Sequence, residues 1–240
     1  MTYSLVLPFH SNVASLAATT RRVRREGGER GIGEILLAHN GRPLDEESQR
    51  QVDALVAPRE SGMPEVRFLD TPAKGIGAGY KLGIAAAREE FVVLSADDLP
   101  FGWSDIEAFE RDGRPDFAIG SKAHPASKLA ARSLRRNLST LAFLAVRRLL
   151  LGRSTPADSQ GSLILRTSVA KALLPDLEYD HYLSSLELAT FHLARGGKIV
   201  EVPIVLEDVS PGRGVSVVRD GWRMMKELVK LRERVQKQRR

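Results

Sequence analysis

Five short apolar runs, Tyr3–Phe9, Glu34–Ala38, Val66–Leu69, Phe91–Ser95 and Asp116–Gly120, mark the first half of the chain. Helical patterns over Val13–Arg25, Glu46–Val56 and Ala78–Arg88 separate the first four. A run that is apolar on both faces needs cover on both faces, and a helix-length segment after each run supplies it. This order predicts βαβ units around a mostly parallel central sheet. Further on, the pattern predicts a strand at Ser162–Leu165, a helix over Tyr182–Ala194, a strand at Lys198–Leu206 and a terminal helix from about Val218. No internal repeat or low-complexity linker interrupts this order, so one α/β domain over residues 1–218 is expected, followed by a basic amphipathic helix over 219–240.

Net charge conceals a division along the chain. The +6 overall balance is the sum of a mildly acidic body and two basic elements. Ser127–Arg153 holds seven basic residues and no acid, and Arg219–Arg240 holds nine basic and three acidic residues. At a helical pitch Arg132, Arg135, Arg136 and Arg147 fall on one side, opposite Leu134, Leu138, Leu141, Ala145 and Leu149. Such a surface is either a solvated face or an attraction to anionic headgroups or a phosphorylated acceptor. Nucleic acid is not expected, because no recognition motif is present and aromatics are only 6%.

The chain has no Cys, which excludes disulfides, thiolate metal sites and a thiol nucleophile. Its most apolar stretch, Leu138–Leu151, is interrupted by Arg147 and Arg148, and the first residues do not read as a signal peptide. The expectation is a cytoplasmic protein, with peripheral attachment to the inner face of the cell membrane as an extension. Trp222, Met225, Leu228 and Leu231 give the terminal helix an apolar side that fits either the body or a second copy of the chain. A homodimer is thus left open.

In an open parallel sheet, ligands bind beyond the carboxyl ends of the strands. Those ends carry Pro8-Phe9-His10-Ser11-Asn12, His39-Asn40-Gly41, Lys74-Gly75-Ile76-Gly77-Ala78-Gly79 and Ala96-Asp97-Asp98-Leu99. The glycine run lacks dinucleotide-fingerprint spacing and the Gly-Lys-Ser/Thr of a P-loop, but allows close backbone approach. Asp97 and Asp98 either serve a turn or hold Mg²⁺ or Mn²⁺ together with diphosphate oxygens. His39 and Asn40 are either loop filler or groups that contact a base. The histidines show no clear metal-ligand spacing.

Taken in order, Leu5-Val6-Leu7-Pro8, Leu36-Leu37-Ala38-His39-Asn40-Gly41, the glycine run to Gly83, Leu94-Ser95-Ala96-Asp97-Asp98, Gly120-Ser121-Lys122, Asp158-Ser159-Gln160 and Glu201-Val202-Pro203 form a recognisable series. This series resembles family 2 glycosyltransferases of the GT-A fold, and most nearly the dolichyl- or polyprenyl-phosphate sugar transferases. The resemblance implies a single GT-A-like domain that moves a sugar, with inversion, from a nucleotide-diphosphate donor to a polyprenyl phosphate. It also implies nucleotide contacts from Pro8 and the loop behind it, with His10, and from Gly75, and a metal at Asp98, the second acid of Asp-x-Asp; His39 and Asn40 are expected to contact the base in place of the usual acids, and Asp97 to join the nucleotide site. Asp158, Gln160 and Lys122 would stand nearest the transferred sugar. Arg132, Arg136, Ser139 and Arg213 would meet the acceptor phosphate.

The departures from that pattern are specific. Ala96 stands where the first metal acid is usual, and His39-Asn40 where Asp-Asp is usual. Lys122 replaces an Arg, keeping charge but losing the bidentate fork. A phosphate acceptor is already ionised and needs no strong base, whereas a hydroxyl acceptor would need one, for which Glu187 is a candidate, although a glutamate within a helix is more often structural. A catalytically degenerate protein that keeps the fold as a nucleotide- or lipid-binding scaffold is the alternative.

Overall fold

Strand β1 (Tyr3–Phe9) is buried along its whole length, and β2 (Ile32–Asn40) likewise. Alternate residues of these strands enter two different cores, as the two-residue period of a strand requires. Tyr3, Leu5, Leu7 and Phe9 join Ile35 and Leu37 on one face, while Val6, Leu36 and Ala38 join the other. β3 (Glu65–Thr71), β4 (Phe91–Leu94), β5 (Phe117–Ser121), β6 (Leu163–Arg166) and β7 (Val200–Pro203) complete a seven-stranded sheet ordered β3-β2-β1-β4-β6-β5-β7. The computed structural model describes residues 2–56, 62–129, 147–152, 155–158, 161–206 and 217–238.

The expected architecture is present: a single α/β domain on a mostly parallel sheet. β6 is the exception, pairing antiparallel with both β4 and β5. A strand that runs against its neighbours begins at their carboxyl edge, so the segment before β6 lies there beside the end of β5.

One face of the sheet is covered by α1 (Val13–Glu26), α2 (Glu46–Val56) and α4 (Ser104–Arg111), through Leu16, Val52, Leu55, Ile106 and Phe109 among others. The other is covered by α3 (Ile76–Ala86), α5 (Thr167–Leu173), α6 (Ser184–Ala194) and α7 (Val217–Gln238). Helices α4 and α5 were not among the sequence expectations. They are short and each buries its apolar side on a strand edge, too little periodicity to register alone. Leu228 and Leu231, 0% exposed, and Val235 bring α7 onto the body of the domain. Fully burying each such side chain contributes roughly 1.5–3 kcal/mol.

Glycines set how closely α3 can lie on the sheet. A Cβ at Gly83 would meet Val6 Cγ1 at 2.3 Å, and one at Gly79 would meet Pro8 Cβ at 2.7 Å. Gly75, ahead of the helix, has φ +116° and lies under the Asp180 carbonyl, 2.1 Å from where a Cβ would be. Much of the glycine run is therefore a packing requirement.

Asp105, in the first turn of α4, is 2% exposed. Burial pushes its carboxyl up to about 6, although Oδ1 accepts from the Ile106 amide at 2.8 Å. The folded state holds this proton more tightly than the unfolded chain does. The stability it contributes is thus full below about pH 4 and lost as pH rises through about 6. A shift of roughly two units corresponds to about 3 kcal/mol at most. In Asp105→Asn, denaturant unfolding at pH about 8 should show a gain over the wild type that disappears at pH about 4.

Candidate active site

The carboxyl ends of β1, β2, β3 and β4 meet at a cavity of about 510 Å³ lined by Pro8, Phe9, His10, Ser11, Asn12, Asn40, Lys74, Gly75, Ile76, Ala96 and Asp97. Five expected nucleotide contacts, Pro8, His10, Asn40, Gly75 and Asp97, thus share one wall. The side chain of Asn12 begins α1 by accepting from the Ser15 amide at 3.3 Å, so a helix N-terminus opens beside the cavity. Its partial positive charge and the exposed Lys74 both favour an anion there. Lys74, Ser11 and Asn12 were not among the residues assigned by resemblance. The signal for them was their place immediately after β1 and before α3.

His39 takes a different place from the one expected. It is 1% exposed and lies beneath the cavity wall, with Nδ1 2.6 Å from Asp70 Oδ1 and Nε2 3.2 Å from the His10 carbonyl oxygen. His10 in turn donates from Nδ1 to the Asn40 carbonyl at 3.0 Å. Direct contact between His39 and a base would require this arrangement to open.

The two acids after β4 divide. Asp97 lines the cavity, whereas Asp98, the expected metal ligand, is exposed and does not. Partial burial and the neighbouring Asp98 charge raise the Asp97 carboxyl above its ordinary value. Among the described residues no three His, Cys, Asp or Glu side chains gather as a metal-holding group. Two adjacent carboxylates, one raised by partial burial and by its neighbour's charge, fit a hard divalent cation whose other ligands come from phosphate and water. They do not make a complete protein cage.

A second group forms where β5, β7 and the segment before β6 converge. Asp158 Oδ2 accepts from the Lys122 amide at 2.9 Å and lies 3.7 Å from Lys122 Nζ, which stands 5.3 Å from the centre of the Phe101 ring. Glu201 ties this segment to the sheet. Its carboxylate accepts from Ser121 Oγ at 2.5 Å and from the Ala157 amide at 2.6 Å. Glu201 had entered only as part of a motif, and its bonds show why that position carries an acid. Gln160, Arg132, Arg136, Ser139 and Arg213 lie outside the described residues.

One expectation is corrected here. Arg147 does not join a solvated basic face: it is 1% exposed and donates to the carbonyls of Pro156 and Ala157. Burial lowers its affinity for the proton, and the charges of Asp158 and Glu201 restore part of it. Leu149, expected on the apolar side, is 81% exposed. Uncompensated carbonyls and acids at the sheet edge draw the guanidinium in, and residues 147–151 turn accordingly. Glu187, the candidate base, is 0% exposed and fully engaged, accepting from the Glu178 and Tyr179 amides at 3.1 and 3.0 Å and pairing with Arg234 of α7. Its work is structural.

No protein-family model matches the chain. The glycosyltransferase AglD of Haloferax volcanii is 27% identical over 226 residues, a match covering 90% of this chain and 35% of AglD. The chain thus spans about a third of the length of that curated relative. Glucosyl-3-phosphoglycerate synthase of Mycobacterium tuberculosis superimposes with a TM-score of 0.64 at 15% identity, covering 96% of this chain and 80% of that one. The same enzyme in complex with Mn²⁺, UDP-glucose and phosphoglyceric acid gives 0.61 at 15% identity, over 96% and 79% of the two chains. The chain has the GT-A fold. In this GT-A chain the cavity and the Asp158 group lie along one sheet edge, and among the described residues no helix is long and apolar enough to cross a membrane.

The Glu187–Arg234 pair gives a direct test. Removing one member of a buried pair leaves the other charge without its partner, at a cost of about 3–5 kcal/mol, reduced here because Arg234 keeps 19% exposure. Arg234→Ala should lower the stability read from the urea midpoint by about 2–3 kcal/mol. Arg234→Lys should recover only part of it, since Lys cannot reproduce the fork that also reaches Glu178 and the Asp176 carbonyl.

Proposed function

We propose that this GT-A chain is a glycosyltransferase that binds a nucleotide-diphosphate sugar in the cavity and transfers the sugar, with inversion, to a phosphorylated lipid. The observation that carries the donor half is the cavity itself, whose lining brings together one carboxylate, Asp97, the cationic Lys74, Gly75 and the N-terminus of α1 at Asn12. That mixture suits a diphosphate accompanied by a divalent cation. Such a cation, when bound, would neutralise the leaving diphosphate, and Asp97, which lines the cavity, is assigned to hold it in place of the Asp98 first expected.

The protein's own task is positioning and charge. A phosphate oxygen of the acceptor is already a nucleophile, so attack at the anomeric carbon, with the C–O bond to the diphosphate breaking on the opposite face, needs orientation more than a base. Lys122, fixed by Asp158, supplies a cation at the end of β5. Asp158 and Gln160 are assigned to the sugar, and Arg132, Arg136, Ser139 and Arg213 to the acceptor phosphate. The engagement of Glu187 with Arg234 weighs against a hydroxyl acceptor using that residue.

Titration calorimetry with UDP-glucose, with and without Mn²⁺, tests the donor site. Asp97→Asn should weaken metal-dependent binding by about tenfold or more, and Asp98→Asn by less than about threefold. The reverse order would return the metal to Asp98. No binding of UDP- or GDP-sugars to the wild type would favour the scaffold alternative.

The acceptor half rests on charge. Apart from the buried Arg147, Ser127–Arg153 has six cations and no acid, and Leu149 stands 81% exposed beside Arg148. Peripheral attachment to an anionic membrane surface follows from that pairing. Vesicles containing anionic lipid should sediment the protein at low salt and release it at about 0.5 M salt, where the screening length is only a few ångströms. Equal recovery with neutral vesicles would remove the membrane from the proposal.

A further inference from the structure

Beside the segment that Arg147 anchors lies a second cavity, of about 280 Å³. Leu149–Leu151 form one wall, and Leu193 of α6 and Val235 of α7 contribute to the others. Three polar side chains enter the lining. The Thr190 hydroxyl is already committed, donating to the Leu186 carbonyl at 2.7 Å, while Arg232 and Gln236 are exposed. No carboxylate lines the cavity. On the same helix Lys230 pairs with Glu227, and Arg234 with Glu178 and Glu187, whereas Arg232 makes no ion pair or hydrogen bond among the described residues. Leu149, 81% exposed, and Val229, 39% exposed and one helical turn before Arg232, leave apolar surface open to solvent here.

We propose that this cavity seats a single acyl chain whose anionic head group pairs with Arg232, and that a membrane phospholipid is its source. The size fits one chain. An apolar cavity of about 150 Å³ accommodates the six carbons of benzene, so one of about 280 Å³ takes roughly ten aliphatic carbons. A peptide would bring amide groups that these aliphatic walls cannot satisfy, whereas an acyl chain brings none. Each methylene that enters is removed from water together with the leucine surface it covers. An unpaired guanidinium beside an apolar opening is complementary to an anion, and a phosphodiester carried on an acyl chain supplies both halves at once. Among the described residues, none assigned to the sugar or to the acceptor phosphate lines this cavity, so the lipid held here is an anchor and not the substrate.

That a membrane offers the chain rests on the attachment proposed above, whereas the seat rests on the cavity alone. The two meet in the segment 147–152. Its first residue, Arg147, donates to the Pro156 and Ala157 carbonyls next to Asp158, and Leu149–Leu151 line the cavity. A chain lodged here therefore holds the Asp158 edge of the sheet against the lipid surface.

Titration calorimetry with decanoate, an acyl anion, reads the seat without a membrane. One decanoate per chain should bind, about tenfold or more tightly than acetate, which has the head group and no chain. Decyl maltoside, with the chain and no charge, should bind about three- to fivefold more weakly than decanoate, and Arg232→Gln should lose a similar factor for decanoate. Leu193→Trp, which fills the cavity, should abolish binding. Leu149→Ser, at a position already 81% exposed, should weaken it while leaving the urea midpoint unchanged. Acetate binding as tightly as decanoate, decanoate binding unaffected by Leu193→Trp or by Arg232→Gln, or no decanoate binding would each overturn the proposal. So would self-association that Leu149→Ser removes, which would assign the surface to a second copy of the chain. With anionic vesicles, Leu193→Trp should sediment less than the wild type. If the two sediment alike, the attachment stands and this proposal fails. If the wild type ignores vesicles yet binds decanoate as described, the attachment fails and the acyl seat stands.

Discussion

A seven-stranded sheet buried on both faces leaves its polar chemistry one outlet, the strand ends. The interiors of β1, β2 and β4 are occupied by Leu, Val, Ile and Phe that alternate between two cores, and a charged group there must be fully paired. Glu34 illustrates the exception on the opposite edge. It is 2% exposed and satisfied by Ser4 Oγ, the Arg88 amide and Arg67 at 2.6 to 2.7 Å. Everything able to meet a ligand is consequently gathered beyond the carboxyl ends, where helices start and loops are free to carry Asp, Lys and His.

The same constraint explains the second polar group. β6 runs against its neighbours and so begins at their carboxyl edge, which keeps the Asp158 segment that leads into it beside Lys122 without crossing the core. Holding it there takes Glu201 on β7 and the buried Arg147. The guanidinium satisfies carbonyls at Pro156 and Ala157 that would otherwise be enclosed without donors. Charge at this edge is organised in layers: acids and cations that fasten the backbone lie below, and groups left open to a ligand lie above. His39 and Asp70 repeat that division beneath the cavity.

Much of this was legible in the residues. The strand-helix alternation predicted the sheet, and the polar strand ends pointed to Pro8, His10, Asn40, Gly75 and Asp97 before any contact was known. The ordered series of motifs pointed to the GT-A fold, which the superposition on glucosyl-3-phosphoglycerate synthase bears out. Helical pitch misled at Arg147, because a wheel of residues records which side chains are apolar and not which buried acceptors need a donor. Glu187 read as either a structural helix carboxylate or a base, and α7 decides for the former by bringing Arg234 against it.

What the sequence determined by itself was local and periodic: the apolar runs, the helices long enough to show a face, the glycines that permit close approach, and the acids at the end of β4. What only the tertiary structure decided was which polar groups are spent on one another. Whether Asp97 or Asp98 faces the cavity depends on the turn after β4. Whether His39 meets a ligand or supports the wall depends on Asp70, 31 residues away, and on a carbonyl 29 residues before it. Such pairings follow from the folding of distant segments into contact, and a hydrogen bond has no signature in the spacing of residues that are not neighbours.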